Sequence, residues 1–223
     1  MKEFIKKQLD EEITYRLVEE LMDEDYPSTF DMEHFKTLKS FNQRVKYCQD
    51  NLKRISSGSS RIVYMIDDTK VLKLAKNPKG IAQNDVEIEY SQYHDISDVV
   101  AKTFDNQIDG LWVEMELARK VTKSSFKNIT GYSFEEYVMA IHNHGIDSGN
   151  GRGYKYSIDK ELLEQMWEDS FMYEMFSFIG NYALPTGDLE RLSSYGIVTR
   201  NGGDTVVMID YGLTNEIYSG YYS

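Results

Sequence analysis

The stretch VLKLAKN, residues 71–77, puts Lys73 on the same side of an alternating run as Val71 and Ala75. Burying an ammonium among apolar side chains is costly unless a counter-charge meets it. A strand face of this kind is read either as the wall of a cleft that holds an anion or as a strand edge whose lysine reaches out to water, and the rest of the chain decides between them. Other reactive residue types make weaker candidates. His142 and His144, in HNHG, are two positions apart and do not share a helix face. No cysteine or acid cluster accompanies them, so they read as solvated residues near a helix end. Cys48 is the only cysteine, and no basic partner for it is evident. No GxSxG nucleophile motif occurs.

The elements that must position Lys73 follow from turn chemistry and hydrophobic period. LKRISSGSSRIVYMIDDTKVLKLAKN holds three β-type runs, residues 52–56, 61–66 and 70–75, separated by SGSS and DDT. This pattern predicts an antiparallel three-stranded meander. NPKG breaks it, a helix is expected over residues 81–96, and VVAKTFDNQIDGLWVEMELA supplies two more strands around a turn near Asp109-Gly110. Upstream, Phe4, Ile5, Leu9, Ile13, Leu17, Val18 and Leu21 recur near helical spacing. Pro27 ends that helix, and another begins in STFDMEHFKTL with Ser28 or Thr29 as its cap and continues to about residue 50.

Downstream, helices are expected at 133–145 and 159–180, with the polar, glycine-rich GIDSGNGRGYKY between them. Met166, Trp167, Phe171, Met172, Met175, Phe176 and Phe178 read as the core-facing side of the second helix. Pro185 and Gly187 end it. Two β runs then flank RNGGD, a hairpin signal, and the tail EIYSGYYS is expected to pack on the core.

The chain has 223 residues, 41% of them hydrophobic and 13% aromatic, enough for one domain or for two small lobes around a cleft. A net charge of −12 argues against direct nucleic-acid or anionic-membrane binding, both of which reward a basic face. The charged N-terminus lacks the apolar core of a signal peptide, and no run approaches the ~20 apolar residues of a membrane helix. With one cysteine, these features predict a cytoplasmic protein with no intramolecular disulfide.

The order of elements and the residues they carry resemble the protein-kinase-like superfamily, in particular small bacterial and bacteriophage members with a reduced C-lobe. SSGSSRIVY looks like a degenerate glycine-rich loop, with Gly58, Ser59 and Ser60 near the phosphates and Val63 above the base. VLK resembles the strand-three lysine motif, which gives Lys73 a phosphate-contacting role. Glu87 is its implied ion-pair partner, with Asp85 and Glu89 as neighbouring alternatives. WVEMELA resembles the hinge, with Met115 as gatekeeper and Glu116, Leu117 and Ala118 offering backbone groups to a nucleobase. TGDLERLSSYGIV resembles a catalytic loop with Asp188 as base, and VVMIDYGL resembles the metal-binding element with Asp210 as ligand.

The sequence departs from the family at several points. Thr186 stands where a histidine is usual, Glu190 where a lysine is common, and Arg191 beside it is a phosphate-binding candidate. Ser193 or Ser194, the latter fitting better, replaces the asparagine that would ligate a second metal, and no APE element follows Gly212.

The resemblance thus implies an α+β, two-lobed kinase-like fold. Residues 1–50 form an N-terminal helical extension, 51–118 a small lobe with an antiparallel five-stranded sheet, and 119–223 a reduced helical large lobe. It implies ATP and Mg²⁺ as cofactors, and a phosphate acceptor or protein partner of unknown identity. The implied activity is phosphotransfer. The alternatives are a catalytically inactive pseudokinase acting as an interaction protein and an acidic phage-type inhibitor, which would act in the host cytoplasm.

Overall fold

The computed structural model describes residues 29–222, apart from residues 108 and 183. The helix expected over residues 3–24, and Ser28 as a cap, lie outside the described residues. The first described helix, α1 (Met32–Thr37), is capped by Asp31, whose carboxylate accepts from the N–H groups of Glu33 and His34. Thr29 is therefore not the cap. The chain breaks at Leu38–Lys39 and restarts as α2 (Phe41–Asn51) on a capping box in which Ser40 and Gln43 bond reciprocally.

Strands β1 (Lys53–Ser57), β2 (Arg61–Met65), β3 (Lys70–Ala75), β4 (Thr103–Asn106) and β5 (Trp112–Glu116) form one antiparallel sheet in the order β1-β2-β3-β5-β4. The expected meander and the two added strands are all present. The DDT turn is held by Asp67, whose carboxylate accepts from the Thr69 N–H and hydroxyl.

The two faces of this sheet separate by the period of two. Ile62, Tyr64, Leu72, Leu74 and Trp112 point to one side and form a core with Phe35 and Cys48 of α1 and α2. Helices α1 and α2 thus brace the outer face of the sheet. Arg61, Val63, Val71, Lys73 and Met115 point to the other side, toward the rest of the protein.

Between β3 and β4 runs α3 (Pro78–Tyr90), capped by the Asn77 side chain on the Gly80 N–H and opened by proline. Glycine is required at position 80, because a Cβ there would stand 2.2 Å from the Ser60 carbonyl oxygen.

The second half carries β6 (Arg119–Lys120), α4 (Lys123–Thr130), α5 (Phe134–Asp147), α6 (Lys160–Glu168), α7 (Ser170–Asn181), the short α8 (Thr186–Leu189), β7 (Tyr195–Arg200), β8 (Gly203–Met208) and α9 (Asn215–Tyr222). The single helix expected over 159–180 is two. Asp169 ends α6 and caps α7 with its carboxylate on the Met172 N–H. Met166, Met172, Met175, Phe176 and Phe178 are buried as expected, whereas Trp167 is 44% exposed.

The β7–β8 hairpin turns at Asn201-Gly202, both with positive φ, the geometry that Asn-Gly favours. Backbone bonds from Ala101 N to Met208 O (2.9 Å) and Met208 N to Val99 O (2.7 Å) tie its end to the segment entering β4. The result is an α+β fold in which an antiparallel five-stranded sheet faces a mainly helical half. Among the described residues no helix is long and apolar enough to cross a membrane.

Candidate functional site

A cavity of about 550 Å³ lies between the inner face of the sheet and the helical half. Gly58, Ser59, Ser60, Val63, Lys73, Met115, Glu116, Leu117, Asp188 and Asp210 all line it. Residues from positions 58 to 210 therefore meet at one place. Glu87 stands directly behind Lys73. Ser194 is not among the lining residues; Ser193 is.

Lys73 is 5% exposed and Glu87 is fully buried. The Lys73 ammonium donates to Glu87 Oε2 at 2.9 Å and to the Ile209 carbonyl at 2.6 Å. Of the three acids weighed on α3, Glu87 is the one paired with the lysine. Burial lowers the Lys73 pKa, the Arg61 charge adds to that, and Glu87 opposes both.

One residue that the sequence reading passed over joins this pair. Arg61 is 7% exposed, and its guanidinium lies 2.8 Å from the same Glu87 oxygen. Its other arm pairs with Asp210 Oδ1. Arg61 alternates with Val63 along β2, so the strand period that points Lys73 into the cleft points Arg61 there as well.

Asp210 follows β8. Neighbouring elements enclose it, yet 60% of its side chain stays accessible through the cavity. Burial works against its ionisation, but Arg61 and Lys73 outweigh this and hold its pKa below the ordinary carboxylate value. Tyr211 turns into the core and donates to Ala101 O at 2.9 Å. Gly212 passes so close to α3 that a Cβ would stand 2.3 Å from Gln83 O.

The glycine-bearing loop is fastened to α3 and its leading turn. Lys76 N–H donates to Ser60 O at 2.8 Å, and the Ser60 hydroxyl donates to Gln83 Oε1 at 2.6 Å. The Gly58 N–H donates to Arg61 O, closing the β1–β2 turn, so this amide is spent inside the protein. At the expected hinge, the Glu116 N–H donates to Lys102 O and the Leu117 N–H to Thr69 O. Neither N–H is therefore free to donate to a base.

On the helical side, Asp188 sits in α8 with its side chain 40% exposed and Arg191 3.2 Å away. Its backbone is held from behind, because the Ser194 hydroxyl donates to Asp188 O at 2.6 Å and the Tyr195 hydroxyl to Leu189 O at 2.8 Å. Thr186, in the usual histidine position, is buried, and its methyl fills the space that a Cβ on Gly145 would need. Glu190 receives His142 Nδ1 at 2.7 Å. His142 and His144 are thus half-buried and bonded, not solvated; His144 Nε2 meets Phe176 O at 2.9 Å. Cys48 is buried, which pushes its thiol up to about 12 and away from reactivity.

A magnesium ion asks for one or two carboxylates and completes its shell with phosphate and water. Asp210 and Asp188 both line the cavity, a donor set that fits one such ion held mainly by phosphate. Among the described residues no group of three His, Cys, Asp or Glu side chains forms an all-protein cage.

No protein-family model matches the chain, and no curated protein matches it in sequence. Among solved structures it is similar to the streptomycin–ATP–APH(2″)-IIa ternary complex at 12% identity, with TM-score 0.35, over 79% of this chain and 72% of that one. It is similar to ADP-bound aminoglycoside phosphotransferase APH(2″)-Ib at 14% identity, with TM-score 0.35, over 78% and 71%. Scores of this size mark a distant likeness. The sheet order, the buried Lys73–Glu87 pair and the position of Asp210 on the cavity wall are features of this chain itself.

Proposed function

We propose that the cleft binds a nucleoside triphosphate, ATP in the first place, and that the protein is a phosphotransferase. The observation that carries this reading is the buried Lys73–Glu87 pair on the wall of a cavity that also holds Asp188 and Asp210. The cavity lies within the ~300–1,000 Å³ usual for small-molecule sites.

Each residue has a task that follows from its setting. Lys73, fixed by Glu87, places a positive charge against the phosphates, and positioning with charge neutralisation is most of what phosphoryl transfer requires. Val63, Val71, Met115 and Leu117 offer apolar surface to a base. Asp188, accessible but held by its backbone, takes up the proton of an acceptor hydroxyl, and Arg191 steers the leaving or arriving phosphate. A magnesium ion bound at Asp210 would neutralise further phosphate charge. Ser194, expected as a metal ligand, serves here to hold the Asp188 loop.

We place the phosphate-binding task in residues 51–118 and the proton-accepting task in 119–223. A second reading, a nucleotide-binding protein without transfer activity, is favoured by one observation: Arg61 already occupies an oxygen of Asp210. In that case the partner is another protein in place of a phosphate acceptor.

A ligand that binds only the native state raises its unfolding midpoint, by about 2.7 kcal/mol of stability at a hundredfold excess over Kd. A thermal-shift titration with ATP, followed by assay of phosphate released or transferred, tests both readings. A midpoint rise with turnover supports the phosphotransferase, a rise without turnover supports the second reading, and no rise at millimolar ATP overturns both.

A further inference from the structure

Arg61 stands where a loop of the form G-x-G-x-x-G-x-V, counted back from Val63, would carry its last glycine. A glycine there leaves room for phosphate. This chain instead sends a guanidinium into the centre of the cleft. Its arms meet two elements: Nη1 lies 2.8 Å from Glu87 Oε2 and 3.3 Å from Asn84 Oδ1, both on α3, while Nη2 pairs with Asp210 Oδ1 after β8. Asn84 is itself fully buried and fixed, donating to Gly110 O at 2.8 Å. The guanidinium is thus anchored on the α3 side and meets Asp210 on its open side.

Charge counting shows what this does. A lysine, its helix glutamate and a metal-holding aspartate carry one net negative charge, which a divalent ion must reverse before polyphosphate can approach. Arg61 brings that group to neutrality before any ligand arrives. Lys79 and Arg191 line the same cavity, so four cations share the cleft with Glu87, Asp188 and Asp210. The remaining acid on its wall, Glu116, is paired with Arg200 at 2.5 Å. A protein of net charge −12 has therefore gathered an excess of positive charge at this one place.

We propose that Arg61 is a tethered counter-cation for Asp210: the cleft takes a nucleotide polyphosphate without a metal, and a divalent ion reaches Asp210 only by displacing the guanidinium. The exchange is open to it, because Arg61 keeps Glu87 and Asn84 when it leaves Asp210, and the Asp210 carboxylate is accessible from the cavity. This proposal rests on the nucleotide reading above.

The test is calorimetric titration of ATP in EDTA and in Mg²⁺, with wild type, Arg61→Met and Asp210→Asn, together with Mn²⁺ binding followed by electron paramagnetic resonance without nucleotide. Wild type is expected to bind ATP in EDTA about as tightly as in Mg²⁺. Loss of one charge-assisted contact in Arg61→Met should weaken metal-free binding about tenfold or more and strengthen Mn²⁺ binding. Asp210→Asn keeps the Arg61–Glu87–Lys73 cluster, so it guards against misfolding of the first variant, and its metal-free ATP affinity should rise. ATP binding by wild type only when Mg²⁺ is present, loss of metal-free ATP binding in Asp210→Asn, or equal Mn²⁺ affinity in wild type and Arg61→Met would each overturn the proposal while leaving the nucleotide reading intact. No ATP binding under either condition would overturn both.

Discussion

On the sheet side of the cleft, Lys73, Arg61 and Glu87 are each less than a tenth exposed, and both cations meet the same Glu87 oxygen. On the helical side, Asp188 and Arg191 keep 40% and 69% of their side-chain surface and meet each other at 3.2 Å. The first group is placed by buried charge, the second through its backbone. The difference fits the two tasks proposed above. A group that must hold one kind of anion gains from being fixed before the ligand arrives. A group that must take a proton from an exchangeable acceptor needs an open side, and its loop can be secured from behind by Ser194 and Tyr195.

If the two sides differ in this way, substitutions should separate them. The largest effect is expected at Glu87→Ala, which takes from two buried cations the carboxylate they share. Breaking a buried pair from one side costs about 3–5 kcal/mol, so urea unfolding should show a loss of that order together with loss of ATP binding. Asp188→Asn should act on turnover alone: a fall of about 10²–10⁴ in phosphate transfer or ATP hydrolysis, with the urea midpoint unchanged. Ser194→Ala removes one hydrogen bond behind the loop and should cost about 1 kcal/mol, read by urea unfolding, with ATP affinity kept.

The smallest expected effect lies deeper in the helical half. Burial lowers the pKa of His144 from its ordinary 6.5, so on acidification the unfolded chain takes up this proton before the native one. The stability that His144 contributes is therefore present above about pH 6.5 and declines below it. A His144→Gln variant should lose less stability than wild type between about pH 7.5 and 5.5, measured by urea midpoints.

The sheet side was the more legible of the two in sequence, and the reason is local. The alternation in VLKLA places Lys73, and the SGSS and DDT turns set the strands around it; in the other half only the hairpin was as plain, with Asn201-Gly202 turning it and the apolar VVMI run delivering Asp210 to the cleft. Glu87 could be narrowed to three acids on one helix, since helical spacing cannot tell which carboxylate meets a strand.

What stayed hidden depends on contacts distant in the chain. Arg61 pairs with Asp210, 149 residues away, and nothing near Arg61 marks that pairing except its parity with Val63. Helix α4 was missed because KSSFKNIT is rich in serine and threonine, residues that favour turns. Its start is secured by the Thr122–Ser125 capping box, and Phe126 anchors it in the core. The break at Asp169 was missed because apolar residues continue on both sides of it. The spent N–H groups of Gly58, Glu116 and Leu117 are likewise invisible without the fold, and they change what the loop and hinge can offer a ligand.

The measurement that bears most directly on the central claim is calorimetric titration of ATP into wild type and Lys73→Met. Arg61 remains to pair with Glu87 in the variant, so the fold should survive, as a matched urea midpoint would confirm. The account predicts saturable ATP binding to wild type and an affinity lower by about tenfold or more in Lys73→Met. ATP binding of equal strength in both proteins, or none in wild type, would contradict it.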